Sequence, residues 1–323
     1  MKAWSAATVV VATSAALVGA ALLSSHAQVN AEGASNALVL AERAAQARDK
    51  ATQLRPTATA SSPHAVPSAS RATNATPPEA QLSFRQTITY NGAPVFVPEG
   101  CQPPFDLLLH FHGAYPYVKD EVVSARLNAV VAVFNAGNGA EKYAQAFQAP
   151  GTLTSLLHQI ELAVAPLCQG NGKPRRIALS GFSAGFAAVE KILAREEDRE
   201  RVDAALLVDG LHAGFVDPRK RQLAPNALQA FRDFGELAKQ GKKLFAVTHS
   251  SIMTDGYAST TECSRYLLGA LDVACSDDLV SGKSGDFSIE GFTGNDKAAH
   301  IAQFRQMDST LLAKLRERWS KAP

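Results

Sequence analysis

Strong charge of either sign is missing from this chain of 323 residues: charged residues make up 19% and the formal net charge is +2. A nucleic-acid binder would gather its basic residues on one face. The densest basic run, Pro218-Arg-Lys-Arg221, is short and reads as a solvated loop. Cysteine is scarce, and Cys101, Cys168, Cys263 and Cys275 include no C-x-x-C pair, so neither a zinc-knuckle nor a dithiol redox spacing is present. Beyond the N-terminal region no apolar run is long enough to span a bilayer. There is no internal repeat. Ser281-Gly-Lys-Ser284 lacks the upstream glycine of a phosphate-binding loop and reads as an ordinary loop.

The N-terminus, by contrast, carries an address. Lys2 precedes an apolar run from Ala6 to Leu23, and Ser24-Ser-His-Ala27 follows as a small-residue cleavage site. Residues 1–27 therefore read as a signal peptide or, uncleaved, as an N-terminal anchor that would tether the chain to a membrane. No cysteine lies near that site, which argues against a lipoprotein. Export to a secreted, periplasmic or cell-surface location brings an oxidising environment, where four cysteines suggest two disulfides with three connectivities open. Residues 28–55 are alanine-rich and helix-forming. Residues 56–80 are dominated by Pro, Ala, Ser and Thr, which cannot bury enough apolar surface to offset ordering entropy. The span 28–80 is thus expected to be largely disordered, and the folded domain to occupy 81–323.

Within that domain, strand and helix patterns alternate. Phe84–Val97 reads as a hairpin turning at Asn91-Gly92. Six short, nearly continuous apolar runs follow: 106–112, 129–135, 176–180, 204–209, 243–249 and 287–292. Strands covered on both faces have this composition. Between most of them lie helical periodicities, such as Leu153, Leu156, Leu157, Ile160 and Val164, and a last helix is expected from about His300. The pattern predicts a single α/β domain, a mostly parallel central sheet with helices on both faces.

One junction carries chemistry. Gly181-Phe-Ser183-Ala-Gly185 stands where a buried strand hands over to a helix starting at Ala184. A bend this sharp needs small residues two positions either side of the serine, and it pushes the hydroxyl out above the sheet. Leu109-His-Phe-His-Gly-Ala-Tyr115 ends the third strand with a His-Gly loop.

On these two segments the region 84–320 resembles the α/β-hydrolase superfamily. The resemblance implies Ser183 as nucleophile and an oxyanion hole from the amide of Ala184 with that of Gly113 or Ala114. It implies a histidine after the last strand, where His300 stands, as general base and acid. The acid is either Asp209, ending the sixth strand, or Asp255, in the loop after the seventh. Asp209 is favoured because strand ends hold a group more rigidly than loops. The pairings Cys101–Cys168 and Cys263–Cys275 also follow from the superfamily sheet order. The activity implied is hydrolysis of a small or polymeric carboxylic ester through an acyl-enzyme, with no cofactor.

Two other readings compete. His110, His112, His212, His249 and His300 all fall at or just past carboxyl ends of strands, where open α/β sheets bind ligands, so a zinc-dependent hydrolase is an alternative. A non-catalytic binding module tethered at the cell surface is another. His112, Tyr115, His212 and His249 are the candidate pocket residues, and the Arg219–Arg221 loop would favour acidic substrates.

Overall fold

The apolar runs become strands. A computed structural model describes residues 82–321 except Tyr90, Asn171 and Asp277; the leader, alanine-rich and linker segments expected over 1–80 lie outside the described residues. In chain order the strands are β1 (Phe84–Ile88), β2 (Pro94–Pro98), β3 (Phe105–Phe111), β4 (Val130–Phe134), β5 (Pro174–Phe182), β6 (Ala204–Val208), β7 (Ala213–Asp217), β8 (Gln222–Leu223), β9 (Leu244–His249), β10 (Tyr257–Ala258), β11 (Gly282–Ser284) and β12 (Phe287–Gly291). The main sheet runs β1-β2-β4-β3-β5-β6-β9-β12-β11. Its six central strands, β4 to β12 in that order, pair in parallel, while β1, β2 and β11 are antiparallel at the edges.

The helices are α1 (Tyr115–Ser124), α2 (Ala140–Ala146), α3 (Thr152–Val164), α4 (Phe186–Leu193), α5 (Glu196–Arg201), α6 (Gln229–Lys239), α7 (Thr260–Ala270), α8 (Lys297–Phe304) and α9 (Leu311–Ser320). Alternation along β3 divides them between two layers. Leu107 and Leu109 face a core filled by Leu153 and Leu157 of α3, Val189 of α4 and Phe231 of α6. Leu108 faces the other way, into a core with Val118 of α1, Phe304 of α8 and Leu311 of α9. A strand buried on both faces has no polar side to show, which is why its sequence reads as one apolar block.

Several local details differ from the sequence-based expectation. In the β1–β2 hairpin the register closes at Ile88 opposite Pro94, so the loop is longer than a two-residue turn, and among its described residues Gly92 supplies the left-handed step (φ 79°). The bend after β5 is a short 3-10 turn, Ser183–Gly185, with α4 beginning only at Phe186. The last helix is two helices. Between them the Ser309 and Thr310 hydroxyls bond the Gln306 carbonyl, competing with the backbone ladder. The basic run Pro218–Arg221 is a turn between β7 and β8, which pair with β10 in a small sheet that the apolar runs did not foretell.

Cys101 and Cys168 are joined by a disulfide, just ahead of the neighbouring strands β3 and β5. The expected Cys263–Cys275 bond is not formed, and both thiols are free. Cys263 sits in the first turn of α7, its sulfur toward the Ala258 carbonyl, and burial pushes the thiol up to about 12. Cys275 lies beyond the other end of that helix, and the seven residues from Cys263 to its end alone rise roughly 10 Å. That exceeds the reach of a disulfide.

Candidate active site

The bend at Ser183 is enforced by contacts. A side chain at Gly181 would come within 2.9 Å of the Gly185 backbone, and one at Gly185 within 2.0 Å of the Phe111 carbonyl oxygen. Both positions exclude anything larger than hydrogen. Ser183 itself takes a left-handed conformation, φ 48°, rare for a residue with a β-carbon. His112 (φ 69°) and Asp209 (φ 43°) share it, at the carboxyl ends of β3 and β6, on either side of the serine's strand. Strained residues of this kind persist only where surrounding structure holds them, and they gather at functional sites.

Chain segments far apart meet here. His300 lies in the first turns of α8, a helix capped by the Asp296 carboxylate. Its Nδ1 donates to Asp209 Oδ2 at 2.8 Å. The same carboxylate accepts the Ser250 amide at 3.0 Å and the Ser250 hydroxyl at 2.6 Å. Burial opposes the charge on Asp209, but the bonds from His300 and Ser250 outweigh it and hold the carboxyl below its ordinary range. Phe182, next to Ser183, stacks on the His300 ring with centroids 4.6 Å apart, and Phe304 packs against Phe182 at 4.8 Å. The imidazole is therefore fixed along one edge by a carboxylate and across one face by a ring. With Nδ1 committed, Nε2 is the nitrogen available to the serine. Among the described residues no hydrogen bond joins Ser183 to His300; such bonds commonly tighten only around substrate.

Asp255, the alternative acid, is exposed, and its charge acts on Arg221 instead. Of the two aspartates, Asp209 is the one brought to His300. Asp203, at the opposite end of β6, pairs with Arg318 and Trp319.

The His-Gly loop curls over the same edge. Gly113 has φ 125°, and a side chain there would press on the Phe304 ring at 3.1 Å. The amides of Gly113 and Ala114 have no backbone partner among the described residues. Beneath them His110 is wholly buried: Nε2 donates to the His112 carbonyl at 2.8 Å, and Nδ1 accepts from Ser180 at 3.0 Å. Burial pulls its imidazole down to about 4. Burial, and secondly the charge of His300, lower His112 as well. Tyr143 must donate its one proton to Asn135 Oδ1 or the Gly137 carbonyl, so its oxygen accepts from His112 Nδ1 at 2.9 Å.

The remaining pocket candidates separate. Tyr115 is exposed at the start of α1. His212 packs between Phe186 and Tyr257 with Nδ1 donating to the Ala258 carbonyl, close enough to Asp209 and His300 to feel both charges; burial is the main cause of its lowered basicity. His249 is a correction. It is 1% exposed, with Nε2 3.2 Å from the Val280 carbonyl and Nδ1 close to the Ser250 carbonyl and the Thr261 hydroxyl, so it belongs to the core. His110 and His249 thus have no nitrogen to offer zinc, and among the described residues no group of three His, Cys, Asp or Glu could hold a metal ion. The basic loop is also partly spent: Arg221 grips Glu262 bidentately and crosses Phe215, leaving Arg219 and a loosely paired Lys220. Sequence reasoning missed the stacking of Phe182 on His300 and the bonds from Ser250 to Asp209; a G-x-S-x-G pattern leaves the second residue open, and nothing local marks which group a serine after β9 will meet.

No protein-family profile matches the chain, and no curated relative does. Among solved structures it is similar to the esterase LipW from Mycobacterium marinum (14% identity over 74% of this chain and 83% of that one, TM-score 0.43). It is similar also to TT1662 from Thermus thermophilus (16%, 76% and 100%, 0.44) and to carboxyl esterase 2 from Tuber melanosporum (11%, 84% and 97%, 0.40). The fold is read from this chain's own strand order and from the strand–bend–helix at Ser183.

Proposed function

We propose that this domain, which has the α/β-hydrolase fold, is an exported serine hydrolase acting on carboxylic esters. The observation that carries the reading is the 2.8 Å bond between His300 and Asp209 at the sheet edge where Ser183 is held in a left-handed bend. Ser183 attacks the carbonyl carbon while His300 Nε2 takes its proton. Asp209 keeps the other nitrogen protonated and stabilises the imidazolium. The amides of Ala184 and Gly113 or Ala114 receive the negative oxygen; one such donor contributes about 3–4 kcal/mol to lowering the barrier. His300 then protonates the leaving alkoxide, and water frees the acyl group by the same path. Export is supported by the N-terminal apolar run and by the Cys101–Cys168 bond.

A fluorophosphonate probe and a panel of soluble esters test this on wild type, Ser183→Ala, Asp209→Asn and Asp255→Asn. The expected result is labelling and turnover in wild type, none in Ser183→Ala, a fall of about 10⁴-fold in kcat for Asp209→Asn, and near-normal rates for Asp255→Asn. Undiminished labelling of Ser183→Ala would overturn the assignment, and an unlabelled, inert wild type would favour the binding-module alternative.

A further inference from the structure

The Asp209 carboxylate receives three hydrogen bonds from His300 and Ser250, and two of them come from Ser250. This residue follows directly after β9, the neighbour of β6 in the sheet, and is 1% exposed. Its amide addresses Oδ1 at 3.0 Å and its hydroxyl Oδ2 at 2.6 Å, the oxygen that also accepts from His300 at 2.8 Å. One donor would leave a carboxylate able to rotate about its bond to Cβ. Two donors, one on each oxygen, fix its plane, and with it the direction in which Oδ2 meets the imidazole. The hydroxyl has a second effect. A hydrogen bond into Oδ2 draws electron density from the same atom that stabilises an imidazolium, so it weakens that stabilisation while improving its aim.

We infer that Ser250 is a positioning residue: it acts through Asp209 to set both the orientation of the acid–imidazole pair and the pH at which the imidazole becomes available as a base. The inference rests on the serine-hydrolase reading above. It also gives the segment after β9 a part in the site. That segment supplies a donor to the acid instead of the acid itself, and Asp255 further along it stays in solvent.

The test compares kcat, KM and the pH dependence of kcat/KM on a soluble ester for the full chain, Ser250→Ala and Ser250→Cys, with circular dichroism to confirm folding. Losing a hydrogen bond to a charged group should lower kcat by about 10- to 100-fold, with KM within about twofold. The acidic limb should move to higher pH, because an unquenched carboxylate holds the imidazolium more strongly. Cysteine, a weaker donor of similar size, should fall between alanine and serine on both measures, and it decides the question in the same way if the alanine variant fails to fold. A slower enzyme with an unmoved limb would mean that Ser250 serves only as structure, and an unchanged kcat would remove the inference outright. Either outcome leaves the enzyme reading intact, since that reading stands or falls on the wild type and Ser183→Ala.

Discussion

At the amino edge of the main sheet, where the parallel strands begin, polar groups are paired and locked. A register shift at Phe105/Asp106 lets two consecutive arginines, Arg175 and Arg176, reach Asp106, each with two hydrogen bonds of 2.6–3.1 Å. Asp203 accepts from Arg318 and from Trp319, Asp286 pairs with Arg318, and the disulfide ties the approaches to β3 and β5 together. At the carboxyl edge the same strands end in strained residues, His112, Ser183 and Asp209, beside the amides of Gly113 and Ala114, which have no backbone partner among the described residues. Exposed apolar side chains collect there too: Tyr115, Val216, Met253, Tyr257 and Ile301. One edge lowers the free energy of the fold; the other holds conformations that cost it. Stability and chemistry should therefore separate under mutation.

The largest expected separation comes from replacing both Cys101 and Cys168 by serine. Releasing a loop of 67 residues should cost about 4 kcal/mol, read from denaturant unfolding, while kcat/KM well below the melting temperature changes by no more than about twofold. A matching collapse of activity would show that the edges are not independent.

Acid should reveal the next largest difference. His110 is depressed from 6.5 to about 4 in the fold, so the unfolded chain takes up a proton in that window and the native state does not. The stability it contributes is complete above pH 6.5 and is lost as pH falls toward 4, up to about 3 kcal/mol; His112 and His212 act in the same sense. Asp106, lowered because its two arginines outweigh the cost of burial, keeps its contribution until pH falls below the ordinary carboxylate range. Unfolding free energies measured from pH 7 to 4 should thus fall, and His110→Gln should flatten much of the slope. An identical slope in that variant would move the proton uptake elsewhere.

The smallest effect has the opposite sign. Ser183→Gly relieves the left-handed strain and should stabilise the domain by about 1 kcal/mol while abolishing turnover. Destabilisation by this change would mean that the bend is not strained.

What could be read in advance follows from how local each cause is. The sheet was legible because a strand covered on both faces must be apolar throughout, and the bend because Gly181 and Gly185 answer to contacts within a few residues or with an adjacent strand. Choosing Asp209 over Asp255 drew on strand-end rigidity, but its bond to His300 spans 91 residues and the Ser250 bond 41. No periodicity encodes such meetings. The expected Cys263–Cys275 bond failed for a related reason: an even cysteine count says nothing of the helix that stands between them.

Gly210 ties Ser183 to Asp209 through the backbone. An added methyl group there would lie 2.4 Å from the carbonyl oxygen of Ser183, so the residue after Asp209 rests against the backbone of Ser183. Gly210 also leads into β7, so lengthening or swapping the β7–β8 loop is expected to pull on that shared joint. Redesign should start instead from α1, whose first residue, Tyr115, is exposed just past the carboxyl end of β3.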